Sequence, residues 1–312
     1  MPEAGGGRPA GSSAGPDRTA AALTAEAPIT EAAAEGRERR RYLLLLLPAL
    51  LVLLVLFVVP LLGILNRSVF KAGYTLQFYR QAFGTPIYLT VIGLTFRTAA
   101  VVTLICLVLG YPLAYVLVNV RPRAARLLMI VVVLPFFTSI IVRTYAWMVL
   151  LGRNGVVNQY LIALGFTDTP LPFLYNQTGV LIGMSYVLLP FLILTAYSVM
   201  RGIDPGLIRA AHSLGASRFQ AFRRIFLPLS LPGIAGGTLL VFILSLGFFI
   251  TPALMGGPSD IMIAMLIERE VEFTLNWSFA SALAVILLLV TLVGFALYNR
   301  IVRVERIFEG RA

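Results

Sequence analysis

The stretch YLLLLLPALLVLLVLFVVPLLGIL, residues 42–65, decides the fold class, because it is long enough to cross a bilayer and contains no charged residue. About 20 apolar residues, each rising about 1.5 Å in a helix, span a hydrocarbon core of about 30 Å. The preceding RERRRY suggests the charged start of a signal peptide, but the apolar run is too long and no small-residue cleavage pattern follows it. We therefore predict an uncleaved first membrane span.

The rest of the chain repeats this apolar character. Of its 312 residues, 59% are hydrophobic and 12% are charged, whereas about 25% are charged in a typical soluble domain. No segment shows the alternation of apolar and polar residues that is typical of a strand in a membrane β-barrel. The sequence thus predicts an all-α, polytopic membrane protein with six transmembrane helices. The predicted spans are residues 43–65, 89–118, 127–151, 178–200, 232–254 and 279–301.

The first 36 residues differ in composition from the remainder. Residues 1–36 are rich in Ala, Gly, Ser and Pro and poor in large apolar side chains, so they cannot bury enough surface to offset the entropy of ordering. We expect a disordered cytoplasmic tail at residues 1–36 and a transmembrane domain at residues 37–312.

Positive charge marks one side of the membrane. The formal charge of +11 comes largely from arginines in short connections beside apolar segments, a distribution that indicates membrane orientation rather than nucleic-acid binding. Both termini and the loop between spans four and five are predicted to be cytoplasmic, in a multi-pass protein of the inner membrane. Because the sequence has one cysteine and one histidine, it cannot form a disulfide framework or a multi-histidine metal site within the chain.

The loop before the fifth predicted span reads IRAAHSLGASRFQAFRRIFLPLSLPGI, residues 208–234. Two alanines allow close approach of another surface, and Gly215 permits the positive φ that turns a helix. Phenylalanines recur at three- and four-residue spacing between arginines, which predicts an amphipathic second helix. Pro228 and Pro232 are expected to end this helix and to start the next span. An interfacial helix with snorkelling arginines is the alternative interpretation.

This loop is similar to the EAA motif of permeases of ATP-binding-cassette importers. The motif begins with glutamate in that family, and Arg209 stands in its place here; the other fixed positions agree. The resemblance implies a cytoplasmic coupling helix between helices 4 and 5 that contacts an ATPase. Tolerance of Arg209 and co-adaptation of the partner both remain open. The residues assigned to the coupling loop are Arg209, Ala210, Ala211, Gly215, Ala216, Ile225, Leu227 and Pro228.

Three further segments resemble the spermidine/putrescine branch of these permeases. They are GYPLAY at residues 110–115, RTYAW at residues 143–147 and FFITPALMGGP at residues 248–258. Relatives that move other substrates share parts of these segments, so a permease for another small solute is the alternative to a polyamine permease.

The resemblance also implies partners. These are an ATP-binding-cassette ATPase dimer, a second homologous permease subunit, an extracytoplasmic solute-binding protein and membrane lipid, with no nucleic acid. ATP would be bound and hydrolysed by the partner ATPase, so we expect no cofactor and no catalytic residue in this chain. The chain contains no GxxxxGK[ST] phosphate-binding sequence of its own.

Two more groups of residues are candidates for function. The first group would line or gate the translocation path, and its members are Arg143, Tyr145, Trp147, Phe249 and Pro252. The side chain of Arg143 could equally extend to the membrane interface by snorkelling. The second would attract cations or basic patches of a binding protein, with a plain solvated loop as the alternative; its members are Asp260, Glu268, Glu270 and Glu272.

Two other classes of membrane protein fit the sequence less well. A self-contained secondary transporter usually shows inverted repeats or intramembrane acidic residues, and an integral-membrane enzyme needs a polar catalytic cluster. We find neither pattern in the sequence, and the importer permease remains the favoured interpretation.

Overall fold

The protein is predominantly helical in the part that a computed structural model describes, residues 18–70 and 73–302. Within these residues no β-strand forms, and the isolated bridge between Phe70 and Tyr74 is the only β-type pairing. The all-α prediction is therefore confirmed. The helices are α1 (Arg18–Val69), α2 (Gln77–Gly84), α3 (Pro86–Asn119), α4 (Pro122–Val133), α5 (Ile140–Leu151), α6 (Val156–Ala163), α7 (Gln177–Arg201), α8 (Pro205–Ser213), α9 (Arg218–Ala221), α10 (Leu227–Leu246), α11 (Ile250–Met255), α12 (Ile263–Glu272) and α13 (Trp277–Val302).

The chain divides into two units, Met1–Gly63 and Ile64–Ala312. The first unit contains most of α1, and residues 18–36, for which we expected disorder, form the beginning of this helix. Alanine has the highest intrinsic helix propensity and is frequent there, so the local preference favours a helix even without large apolar side chains. The remainder of the predicted tail, residues 1–17, lies outside the described residues.

Among the residues that the structure describes, five continuous helices are long and apolar enough to cross a membrane, and one bent helix pair provides a sixth crossing if it is a single span. The predicted count of six is reached if this bent pair, which occupies the position of the predicted third span, crosses the membrane once. The five continuous spans are Leu45–Val69, Pro86–Asn119, Gln177–Arg201, Arg218–Leu246 and Trp277–Ala296.

The predicted third span, residues 127–151, is not a single helix. The segments Pro122–Phe137 and Ile140–Ala163 meet at an angle of 106°. A 3₁₀ turn over Leu134–Phe137 ends the first segment, and its Pro135 has no N–H to continue the helical ladder. Thr138 then adopts an extended conformation with ψ of 144°.

The predicted fifth span, residues 232–254, begins and ends too late. The helical run instead covers Arg218–Leu246 without a break at either proline. A π-helical turn, Phe222–Phe226, precedes Pro228, and the N–H of Leu227 bonds to the carbonyl of Phe222. Pro228 follows this turn inside the continuous helical run, where it cannot donate to a preceding carbonyl. The chain leaves the helix at Gly247 and resumes in the short α11.

Helix α7 lies at the centre of the second unit, packed between α3 and α10. Its Met184, Leu188 and Leu192 are fully buried in the main apolar cluster. Gly233 and Gly237 form a GxxxG pattern on α10, which allows close helix approach. A Cβ at Gly233 would lie 2.7 Å from Cβ of Val199, and one at Gly237 would overlap the Thr195 hydroxyl. Glycine therefore sets the distance between α7 and α10.

Candidate functional site

The candidate coupling loop begins with α8, whose start is fixed by residues next to it in sequence. The Asp204 carboxylate accepts a hydrogen bond of 2.8 Å from the N–H of Gly206. Pro205 occupies the first turn, where its restricted φ suits a helix and no donor is lost. The helix therefore begins at a defined residue rather than fraying from the end of α7.

Gly215 ends α8 with a left-handed backbone, at φ of +87°. The N–H of Ala216 bonds to the carbonyl of Ala211 at 3.0 Å, and the N–H of Gly215 bonds to the carbonyl of His212 at 3.0 Å. These two bonds form a Schellman motif, which satisfies carbonyls that the helix leaves free. The predicted glycine turn is present in the structure.

A capping box follows the turn immediately. The N–H of Gln220 donates to the Ser217 hydroxyl at 3.3 Å, and the N–H of Ser217 donates to the Gln220 side-chain oxygen at 2.8 Å. This reciprocal pair starts α9, which continues through the π-helical turn into α10. The loop is thus joined to a candidate membrane span by continuous helix.

Aromatic packing attaches the same turn to α3. Tyr115 lies edge-on against Phe222 and Phe226, with ring centroids 5.4 Å and 5.1 Å apart, and Tyr111 lies 6.4 Å from Phe222. Phe226 is 7% exposed in the cluster that also contains Ala196 of α7. Both tyrosines belong to the GYPLAY segment, so this segment and the loop form one packed unit.

The predicted phenylalanine stripe divides into packed and exposed members. Phe219, unlike Phe222 and Phe226, is 68% exposed, and Leu214 beside the glycine turn is 89% exposed. Two large apolar side chains on a short capped loop are a surface that another protein can cover. We define Leu214 and Phe219 as the apolar tip of the loop.

The other residues assigned to the loop have different surroundings. Ala211 is buried, whereas Ala210 is exposed, so only one of the two alanines faces outward. Arg209 is exposed and lines a cavity between the loop and the ends of α3 and α7. The remaining three belong to the helical continuation: Ile225 and Leu227 are half-buried, and Pro228 is exposed.

The residues assigned to a translocation path lie on α5 and around α11. Helices α5 and α11 meet through Thr144 and Thr251, whose hydroxyl oxygens are 3.3 Å apart. Pro252 is buried next to this pair, and Phe249 precedes α11 at the break after α10. Sequence reasoning missed both threonines, although a polar residue in an apolar segment was the available signal.

Three residues of α5 have unlike environments. Trp147 is half-buried and packs edge-on against Tyr186 of α7, with ring centroids 5.3 Å apart. Tyr145 is exposed. The Nε atom of Arg143 is buried and has no hydrogen-bond partner among the described residues, a costly arrangement for a cation.

The four acidic residues predicted to act together do not share one environment. Asp260 is 8% exposed, and its carboxylate accepts a hydrogen bond of 2.9 Å from the N–H of Gly257. It stabilises the turn after α11 and is not directed to solution. Glu268, Glu270 and Glu272 lie on α12. Burial, together with the neighbouring Glu272 carboxyl, raises the pKa of Glu268 above its ordinary value.

The chain is similar to known transport proteins along most of its length. The family described as "Binding-protein-dependent transport system inner membrane component" matches residues 106–306, which include the candidate coupling loop. The spermidine/putrescine transport system permease protein PotB of Haemophilus influenzae is 37% identical over 226 residues, which are 72% of this chain and 79% of the relative. PotB of Escherichia coli is 36% identical over 225 residues, 72% of this chain and 82% of the relative.

The fold is also found in a solved transporter structure. A chain in the crystal structure of a bacterial alginate ABC transporter, in complex with an alginate pentasaccharide-bound periplasmic protein, superposes with a TM-score of 0.69. The alignment covers 85% of this chain and 95% of the other, at 23% sequence identity. At this identity the likeness shows the fold alone.

Proposed function

We propose, from the premise that this chain belongs to the binding-protein-dependent transport system inner membrane components, that it is the permease subunit of an ATP-driven polyamine importer. The observation that carries the solute class is the identity of 37% to a spermidine/putrescine permease over 72% of this chain. In this proposal a polyamine reaches the permease from an extracytoplasmic binding protein, and a second homologous permease completes the path.

The apolar tip of the coupling loop is the proposed contact with a cytoplasmic ATPase. Leu214 and Phe219 offer apolar area to a partner, while the Schellman turn at Gly215 and the capping box at Ser217 hold them in one geometry. A rigid surface loses little conformational entropy on binding. The continuous helix from α9 into α10 would then pass ATPase movement to the fifth span.

Hydrolysis of ATP belongs to the partner in this proposal, and this chain supplies only movement and a path. Both termini and the coupling loop would face the cytoplasm, in agreement with the arginine-rich connections on that side. On the opposite side, the carboxylates of α12 would raise the local concentration of a cationic solute or steer a basic surface of the binding protein.

Co-purification tests the docking surface. We expect Leu214→Glu combined with Phe219→Glu to reduce ATPase recovery at least tenfold with the detergent-extracted permease, because charge would be buried in an apolar contact. Removing two charges from the same segment, in Arg223→Gln with Arg224→Gln, is the matched control, since both arginines are exposed. Equal ATPase recovery from the permease and the glutamate variant would overturn the docking assignment.

The solute is tested separately. Proteoliposomes containing the assembled transporter and its binding protein should accumulate labelled spermidine or putrescine only with ATP enclosed. Ligand titration of the binding protein identifies the solute independently of transport. ATP-driven uptake of another solute, with no polyamine binding, would refute the polyamine assignment and retain the importer. Uptake that is insensitive to ATP would refute the importer itself.

A further inference from the structure

A cavity of about 400 Å³ lies between the coupling loop and the ends of α3 and α7. Its lining includes the apolar residues Met200, Ile203, Ile208 and Phe226, which we define as its apolar floor. Arg209 of α8 and Arg218 of α9 line it as well, one on either side of the Gly215 turn. The cavity therefore combines an apolar floor with two guanidinium groups.

These two positive charges have no acidic partner in the cavity. Among the described residues, none that lines it is an aspartate or a glutamate. The nearest carboxylate along the chain, that of Asp204, accepts the N–H of Gly206 at the start of α8. His212 also lines the cavity, and its Nδ1 atom lies 2.9 Å from the carbonyl oxygen of Ala216. Arg209 and Arg218 are thus available to an anion.

Guanidinium groups favour phosphate, because their planar N–H donors match its oxygens in pairs. The cavity lies at the ends of two membrane spans, where lipid headgroups are at high local concentration, and basic pockets between spans are typical sites for anionic headgroups. An apolar floor beside the charges suits a molecule that carries acyl chains as well as phosphate. Free phosphate would leave this floor uncovered.

We propose that this cavity binds the phosphate group of an anionic membrane lipid, with Arg209 and Arg218 holding the phosphate and the apolar floor covered by the attached glycerol and acyl carbons. The site joins the loop to α3 and α7, so a bound lipid restrains the loop relative to the spans. The proposal does not depend on which solute is carried. It also gives Arg209, which replaces the glutamate of the related loops, a binding role of its own.

Native mass spectrometry of the assembled transporter, released from nanodiscs of phosphatidylglycerol and phosphatidylcholine, tests the proposal. We expect bound phosphatidylglycerol, and about fivefold weaker binding for each arginine replaced by glutamine at positions 209 and 218. The control is Arg223→Gln with Arg224→Gln, which removes the same charge from exposed residues that do not line the cavity. It should retain the lipid.

Three outcomes would overturn the proposal. If the glutamine variants at positions 209 and 218 and the control at Arg223 and Arg224 lost the same amount of bound lipid, the lipid would be responding to general surface charge. If inorganic phosphate displaced phosphatidylglycerol at equal concentration, the ligand would be free phosphate. If the lipid bound only after the ATPase had been removed, the arginines would belong to an acidic contact with that partner. Arg209→Lys shows whether the fold survives at this position, because it keeps the charge and loses the paired donors.

Discussion

Replacing Gly215 by valine should separate membrane insertion from transport. The residue has φ of +87°, a conformation that costs an L-amino acid with a branched Cβ on the order of 1–3 kcal/mol. A Cβ built at this position meets no atom within 4 Å, so the cost comes from the backbone and not from a collision. The least costly relief is to open the turn.

Opening the turn breaks two hydrogen bonds, from Gly215 to His212 and from Ala216 to Ala211. At a penalty of about 2 kcal/mol the closed loop becomes roughly thirtyfold less populated relative to the opened form. The loop should therefore lose its coupling geometry, while the packed spans α3, α7 and α10 stay folded. We expect the melting temperature in detergent to change little.

Solute-stimulated ATP hydrolysis by the assembled transporter in proteoliposomes is the assay. We expect Gly215→Val to reduce it at least tenfold, and Gly215→Asn to retain most of it, because asparagine tolerates the left-handed region. Expression and protease resistance serve as insertion controls. Normal stimulation of Gly215→Val, or an equal loss in both variants, would refute the proposal that coupling requires the left-handed turn at Gly215.

Two further predictions concern packing and charge. Gly237→Val should destabilise the bundle by about 1–3 kcal/mol, because its side chain would overlap Thr195. The control is Gly236→Val, since a Cβ at Gly236 has no neighbour within 4 Å. Equal melting temperatures of the two variants would contradict the packing argument. Glu272→Gln should lower the pKa of Glu268, which burial and the Glu272 carboxyl raise. Since a raised carboxyl pKa favours the folded state at low pH and disfavours it as pH rises, the variant should melt higher at pH 7 and equally at pH 4. If the variant and the original protein differed in melting temperature by the same amount at pH 7 and at pH 4, the effect of Glu272 on the pKa of Glu268 would be contradicted.

The sequence of the coupling loop was sufficient to predict the turn at Gly215, but not the helix that continues through Pro228 and Pro232. The glycine turn at Gly215 follows from the alanine and glycine positions, because short-range backbone sterics determine it. The division of the phenylalanine stripe could not be predicted, since all three residues fit one amphipathic period. The tertiary packing against α3 and α7 decides that Phe222 and Phe226 lie inward, whereas Phe219 remains exposed.

By itself the sequence determined that this chain crosses a membrane by helices, because length and apolarity are sufficient where no water can satisfy the backbone. It also placed the first, second, fourth and last predicted spans approximately. Only the tertiary structure decided that the third span bends by 106° and that the fifth begins at Arg218. A proline inside an apolar run is compatible with a break, as at Pro135, or with a continuous helix, as at Pro228. Which of the two occurs depends on the packing and hydrogen bonds around it, and these involve residues far away in the sequence.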